Sequence, residues 1–371
     1  MKFSCEKSVI QAAVATSSRA VAPKSEIPAL EGLLIDAEED VSITGYDLRT
    51  GIKTIMPADV DEPGKMILGA RLFGEIIRKL PDDIVTISSE DGIMAKICCG
   101  TSTFNILGTQ AVNYPEMPTV EQQNSLIIPE KTLKAMISQT NFAVSTNEAR
   151  PIHTGELFDA ENGMLTVVAV DGYRLALRRE PLENTQGQAY NFVVPGTALA
   201  EVEKITSESE ENVDITLGSK HIMFKIGNTV VVSRRLEGEF LNYRNSIPKN
   251  GKYSIKADKH EIIEAVERVS LIISDKQKSP VRCVFGDNTL NLSTITSLGR
   301  ATDTCEISGD GEGLEIGFNN KYLLDALKAA PAGEIYMQLS TGVSPCIIVP
   351  ADESQNFLYM ILPVRLKANE G

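Results

Sequence analysis

The chain has 371 residues, 42% of them apolar, with 36 Lys plus Arg against 50 Asp plus Glu and a net charge of -14 at pH 7. That length supports two or three domains, each able to bury its own core, and the acidity excludes the strongly basic surface of an ordinary nucleic-acid binder. Six cysteines without a C-x-x-C pair exclude a zinc ribbon and a secreted disulfide framework, and no apolar run is long enough to span a bilayer.

The N-terminal stretch carries Glu6 and Lys7 where a signal peptide needs an apolar core, so a reducing, cytoplasmic setting is expected. A short strand leads into an amphipathic helix predicted over 6–20, and an apolar pair of strands follows from Ile27, with Pro28 near its start. Next come a strand, a helix over 70–81 with Leu72 and Ile76 on its expected buried face, and alternating strands that close at Asn113-Tyr114-Pro115.

The same order then restarts. A helix over 129–140 places Leu133, Met136 and Ile137 on one face, a strand pair begins at Arg150 with Pro151, and a helix over 196–206 buries Leu199 and Val202. A third pass gives a helix over 257–272 with Ile262, Val266 and Val269 aligned, a strand pair from Ser279 with Pro280, and a helix over 319–330 burying Leu324 and Leu327. Pro28, Pro151 and Pro280 hold equivalent places, 123 and 129 residues apart. Units this long are not solenoid repeats of roughly 20 to 50 residues but copies of a whole domain, expected at 1–123, 124–250 and 251–371. Each copy reads as α+β, with two helices on one side of an antiparallel sheet.

The charge is unevenly spread. The three copies carry -7, -3 and -4, yet the six helix windows together carry +2, leaving -16 on everything else. A helical face near neutrality tolerates a phosphate backbone while an acidic remainder repels stray nucleic acid; ordinary surface sampling gives the same count.

Catalytic signals are missing. His153, His221 and His260 have no partner at metal-ligand spacing, and no phosphate loop is present, so neither a metal nor a cofactor is expected. Gly309, Gly311 and Gly313 lie among acidic residues and read as a surface turn, while Ser207 to Glu211 reads as a solvated loop. Cys98 and Cys99 fall in an alternating strand that sends one thiol to each face. Two places look like recognition surfaces: the turn Val170-Asp171-Gly172-Tyr173-Arg174-Leu175 after an apolar strand, and the apolar Met360 to Leu366 near the C-terminus, which needs a sheet or groove to hold it.

Three repeats of this length, D-G-Y-R-L in the second, N-Y-R closing it and a terminal L-P-V-R-L together resemble the bacterial DNA polymerase III β subunit family, the sliding clamps. The resemblance runs over essentially the whole chain. It implies a ring of two chains joined head to tail, with helices on the inner face and antiparallel sheets outside. Twelve helices at ~10 Å spacing enclose a clear diameter of ~28 Å, wide enough for a B-form duplex held through phosphates and water.

The implied role is that of a non-enzymatic replication processivity factor that encircles double-stranded DNA and tethers the replicative polymerase. A paralogous clamp serving repair or other specialised partners is the alternative. By the resemblance, His153, Val170, Gly172, Tyr173, Arg174, Leu175, Leu241, Met360 and Leu362 form the deep part of a pocket for partner peptides, including those of the polymerase subunit and clamp loader. Asn319, Tyr322, Val343, Pro345, Pro363, Val364 and Arg365 line a neighbouring groove. The family usually has leucine in place of His153 and proline in place of Leu241, which implies a pocket more polar at one wall and looser at another. Phe104 with Ile272 and Ile273 correspond to the dimer contact, and Lys24 and Asn147 to DNA-contacting loops.

Overall fold

The computed structural model describes residues 1–120, 124–182, 189–249, 251–274, 279–331, 333–352 and 356–366. The first repeat runs β1 (Lys2–Glu6), α1 (Lys7–Ser17), β2 (Gly32–Ala37), β3 (Val41–Tyr46), β4 (Thr50–Met56), β5 (Asp59–Glu62), β6 (Gly64–Gly69), α2 (Ala70–Lys79), β7 (Ile84–Ser88), β8 (Met94–Cys99) and β9 (Ser102–Gln110). The second runs β10 (Asn124–Pro129), α3 (Glu130–Ser138), β11 (Gly155–Glu161), β12 (Met164–Val170), β13 (Arg174–Pro181), β14 (Tyr190–Pro195), α4 (Gly196–Ile205), β15 (Asn212–Leu217), β16 (His221–Ile226), β17 (Thr229–Arg234) and the short α5 (Tyr243–Ser246). The third runs β18 (Tyr253–Asp258), α6 (Lys259–Ser270), β19 (Val281–Thr296), β20 (Gly299–Phe318), α7 (Asn320–Ala329), β21 (Glu334–Leu339), β22 (Cys346–Pro350) and β23 (Phe357–Ile361).

All six anticipated helices form, each a little shorter than its expected window, and in two of them a capping side chain sets the start. Asp258 and Asn319, inside the anticipated helices, are caps: Asp258 accepts the His260 N–H at 2.7 Å, and Asn319 accepts from Lys321 and Tyr322, satisfying donors that have no partner within the helix. The buried stripes follow the helical period, with two corrections. On α2 the core face is Ala70, Phe73, Ile76 and Ile77, and Leu72 is 54% exposed, because Phe73 and Ile77 take the centre of the stripe and rotate Leu72 outward. On α7 the centre is Leu323, Ala326 and Leu327, with Leu324 at its margin.

The chain separates into two compact units, Met1–Lys134 with Glu201–Arg235, and Ala135–Ala200 with Leu236–Gly371. The first holds a 13-stranded sheet in the order β10-β15-β16-β17-β4-β3-β2-β6-β9-β8-β7-β1-β5, over a core that includes Phe3, Ile10, Ile43, Phe73 and Ile97. The second holds a 10-stranded sheet in the order β14-β11-β12-β13-β23-β22-β21-β18-β20-β19, packed on Ile262, Val266, Phe285, Phe318 and Leu327. All the strand pairings in both are antiparallel, and each fully buried Leu, Ile or Phe contributes about 1.5–3 kcal/mol.

Two loop readings change. Gly309, Gly311 and Gly313 lie inside β20 rather than in a surface turn, where the ladder with β19 shifts register; a Cβ at Gly311 would stand 2.4 Å from that of Phe285. The segment after α4 is not merely solvated: buried Glu130 accepts from the Ser207 N–H at 2.7 Å and its hydroxyl at 2.8 Å, and Lys134 pairs with Glu208 at 3.1 Å. Cys99 is buried and Cys98 half-buried, as strand alternation requires.

Candidate functional site

The turn between β12 and β13 is built by Asp171. Its Oδ1 accepts the N–H groups of Tyr173 at 2.8 Å and Arg174 at 3.0 Å, and Gly172 adopts a left-handed φ of 93° that favours glycine. The turn sends Tyr173 outward, 61% exposed, and Arg174 inward, 7% exposed.

Arg174 is fully engaged. Nε donates to Asp171 Oδ2 at 2.9 Å, Nη1 to Asp325 Oδ2 at 2.7 Å and Nη2 to the Phe142 carbonyl at 2.7 Å. The guanidinium lies 4.6 Å from the Tyr322 ring centroid, and Tyr322 in turn stacks on Tyr173 at 5.8 Å. Arg174 therefore ties the hairpin to α7, and its chemistry is structural before it is recognition.

Beneath the turn lies an apolar floor. Val170, Leu175 and Met360 cluster with Leu177, Tyr243 and Ile347, and Phe240 and Ile247 pack at the margin. Val170 pairs with Leu175 across the hairpin, and Leu175 pairs with Met360 on β23, so register alone brings these three together. His153 sets its ring edge-on to Phe240 at 5.5 Å, and burial, then the nearby Arg150 charge, holds its pKa below the usual histidine value. Leu241, beside Phe240, is 38% exposed.

The neighbouring groove is defined by the C-terminal strand. The Leu362 N–H donates to the Tyr173 carbonyl at 2.9 Å and that of Val364 to Gly317 at 2.8 Å, so the apolar segment is held in the sheet as its composition requires. Asn319, Tyr322 and Val364 line a cleft of about 390 Å³ together with Ile273 and Pro280. Pro345 and Pro363 are half-buried, Arg365 is exposed, and Val343 stands 76% exposed on a turn closed by the Ser344 N–H to the Thr341 carbonyl.

The other candidates occupy separate places. Phe104 is 39% exposed on β9, where Ser102 to Leu107 pair with β8 and the ladder with β6 takes only Gly108 to Gln110, which among the described residues leaves Ser102 to Leu107 an unpaired edge on their other side. Ile272 and Ile273 are half-buried just after α6, beside Leu271 at 84% exposure. Lys24 and Asn147 are both exposed, and the Asn147 side chain accepts the Ala149 N–H at 3.0 Å. Among the described residues no group of His, Cys, Asp or Glu is arranged to hold a metal, and no helix is long and apolar enough to cross a membrane.

Asp325, Phe142 and Phe240 belong to the site but were not anticipated. Asp325 reads in sequence as an ordinary polar-face residue of a helix, and only the fold brings it to Arg174.

Models of the DNA polymerase III β subunit match the chain in succession: the N-terminal domain over residues 1–118, the central domain over 127–242 and the C-terminal domain over 244–365. The chain is 35% identical to the β sliding clamp of Halalkalibacterium halodurans, over 98% of this chain and all of that one, and 33% identical to that of Staphylococcus aureus, over 98% and 99%. It is similar to the crystal structures of the DNA polymerase sliding clamp of Bacillus subtilis (33% identity, TM-score 0.92) and the polymerase β subunit of Streptococcus pyogenes (27%, 0.93); each likeness covers 99% of this chain and 100% of the other. A Pseudomonas aeruginosa clamp bound to griselimycin is similar at 25% identity and a TM-score of 0.93, again over 99% and 100%. With repeats, sheet order and full-length matches in agreement, the chain belongs to the DNA polymerase III β subunit family, the bacterial β sliding clamps.

Proposed function

We propose that two copies of this chain, each divided into domains at 1–123, 124–250 and 251–371, close head to tail around duplex DNA. The chain is a DNA replication processivity clamp. In our reading it performs no catalytic step, works in the cytoplasm and acts by topology: a polymerase tethered to a ring keeps a high effective concentration at the primer end without gripping the DNA. Phe104 of one copy packs against Ile272 and Ile273 of the other, and Lys24 and Asn147 touch the DNA.

Partner peptides, from the replicative polymerase subunit, the clamp loader and other proteins, dock over the Val170, Leu175 and Met360 floor and along the groove past Tyr322 and Val364. The observation that supports this is the exposed tyrosine at the lip of an apolar cluster, with the C-terminal segment bonded alongside it through the Leu362 N–H. Apolar walls bury the peptide anchors, and His153 and the Asn319 backbone region supply polarity. Retention of the loaded protein on nicked circular DNA, with rapid loss once that DNA is cut to a linear form, is the expected result. Equal loss from both forms, or a monomer by native mass, refutes the ring.

A further inference from the structure

The hairpin that builds the peptide site has a twin in the first repeat. The β3–β4 turn is Asp47-Leu48-Arg49-Thr50: Asp47 Oδ1 accepts the N–H groups of Arg49 at 2.8 Å and Thr50 at 2.6 Å, as Asp171 does for Tyr173 and Arg174. Leu48 holds φ at 71° in the place of Gly172. The Tyr46–Gly51 pair repeats Val170–Leu175, and β17 lies on β4 as β23 lies on β13. Even the bond from Leu362 to Tyr173 recurs, as the Arg234 N–H donating to the Arg49 carbonyl at 3.1 Å.

Register therefore assigns each groove residue its counterpart. Arg49 stands where Tyr173 stands, Arg234 where Leu362 does, and His221, which pairs with Arg234, where Pro345 does. Lys220 precedes His221, and its carbonyl accepts from Arg235 at 2.9 Å. The apolar lip of one groove has become a cluster of cations in the other.

Arg49, Lys220 and Arg234 are exposed, and among the described residues none of the three forms an ion pair. Cations placed this close repel one another, so the cluster costs stability in a chain of net charge -14. The His221 pKa is held down by burial, and further by Arg234 and Lys220, as a positive local potential requires. The floor below is closed by the chain itself: Tyr114 packs with Tyr46, Leu30 and Ile67, and a Cβ at Gly51 would meet Met117 Sδ at 2.5 Å. An occupant finds no apolar pocket there and must be held by charge.

We propose that the rim formed by Arg49, Lys220 and Arg234 is a second docking site, for an extended acidic peptide segment of a partner protein. The rim itself stands on register and charge; the choice of a peptide over nucleic acid rests on the peptide-groove reading, whose geometry this site repeats.

The probe is a fluorescein-labelled Asp-Glu-Asp-Glu-Asp-Glu peptide, titrated at low ionic strength against the full chain, with its Asn/Gln counterpart and a short single-stranded oligonucleotide alongside. Binding of the acidic peptide, at least about tenfold weakened in the double variant Arg49→Gln, Arg234→Gln and unaffected by Tyr173→Ala, is the expected result. Both arginines are exposed and their removal relieves mutual repulsion, so the variant should unfold at the parent's temperature or slightly above it. Equal binding by parent and double variant, no binding at all, or dependence on Tyr173 overturns the proposal while leaving the apolar groove untouched. An oligonucleotide that binds more tightly than the peptide and is lost in the same variant also overturns it, assigning the rim to nucleic acid.

Discussion

Arg174→Met should loosen the proposed peptide site at its hinge without dissolving the core. The substitution keeps the aliphatic stem but removes a guanidinium bound to Asp171, Asp325 and the Phe142 carbonyl and lying against Tyr322. Breaking a buried ion pair from one side costs about 3–5 kcal/mol, but the Asp325 side chain is 29% exposed and Asp171 keeps its two turn bonds, so about 3 kcal/mol is the better figure. At about 1.4 kcal/mol per tenfold, local opening of the hairpin becomes about 100-fold more frequent. Hydrogen exchange reads this directly at the Leu362 amide, which is anchored to the turn by the Tyr173 carbonyl. Its protection should fall by about that factor while the Ile35 amide, in the other unit, is unchanged. A fall below about fivefold would show that the strand pairing of β13 with β23, not Arg174, holds the site together.

Gly311→Ala forces a Cβ to within 2.4 Å of the Phe285 Cβ and 2.8 Å of its carbonyl, and since backbone cannot step aside cheaply it should destabilise by about 2 kcal/mol or more, seen as a lower urea midpoint. The depressed His153 pKa has a definite sign: below about pH 6.5 the unfolded chain takes up a proton the folded chain resists, so stability falls as pH drops through that value and is fully retained above it. His153→Gln should flatten that slope in urea midpoints compared at about pH 5.5 and 7.5, with His221 still acting in the same direction. Thiol titration of the folded chain with a disulfide reagent should give one fast equivalent, from half-buried Cys98, because burial pushes Cys305 up to about 11 and Cys5 and Cys346 up to about 12; two fast equivalents would contradict that burial.

The repeats were legible because the hydrophobic period and the spacing of Pro28, Pro151 and Pro280 report local physics that survives divergence. The site was legible in part. Val170-Asp171-Gly172-Tyr173-Arg174 announces a turn through Asp and Gly, and the apolar run from Met360 announces a strand needing cover. What the residues did not disclose is partnership at long range. Arg174 and Asp325 are 151 positions apart, and nothing in either neighbourhood marks the other. Leu72 failed for a related reason: a helical period defines a stripe, but the position of its centre depends on what it packs against.

The acidity that first counted against a DNA partner has a different meaning once the helices are bounded. Trimmed to their observed ends, the six long helices carry +3 and the rest of the chain -17, since Asp258, Glu6 and Arg19 all turn out to flank helices rather than lie in them. Glu130 and Lys259 are buried and cancel, and pairs made outside the helices take up charge of both signs, Asp325 with Arg174 and Glu201 with Arg19 against Lys7 with Asp82, Lys131 with Glu210, Lys134 with Glu208 and Arg268 with Asp303, so the solvent side of the helices lies close to neutral. A face this near neutrality, with what charge remains screened within about 10 Å at ordinary salt, tolerates a duplex without fixing it to any sequence or register. A clamp needs that combination: contact weak enough to slide, with retention supplied by closure of the ring, and strong local charge kept for a rim such as that of Arg49, Lys220 and Arg234, where a partner rather than the DNA is to be recognised.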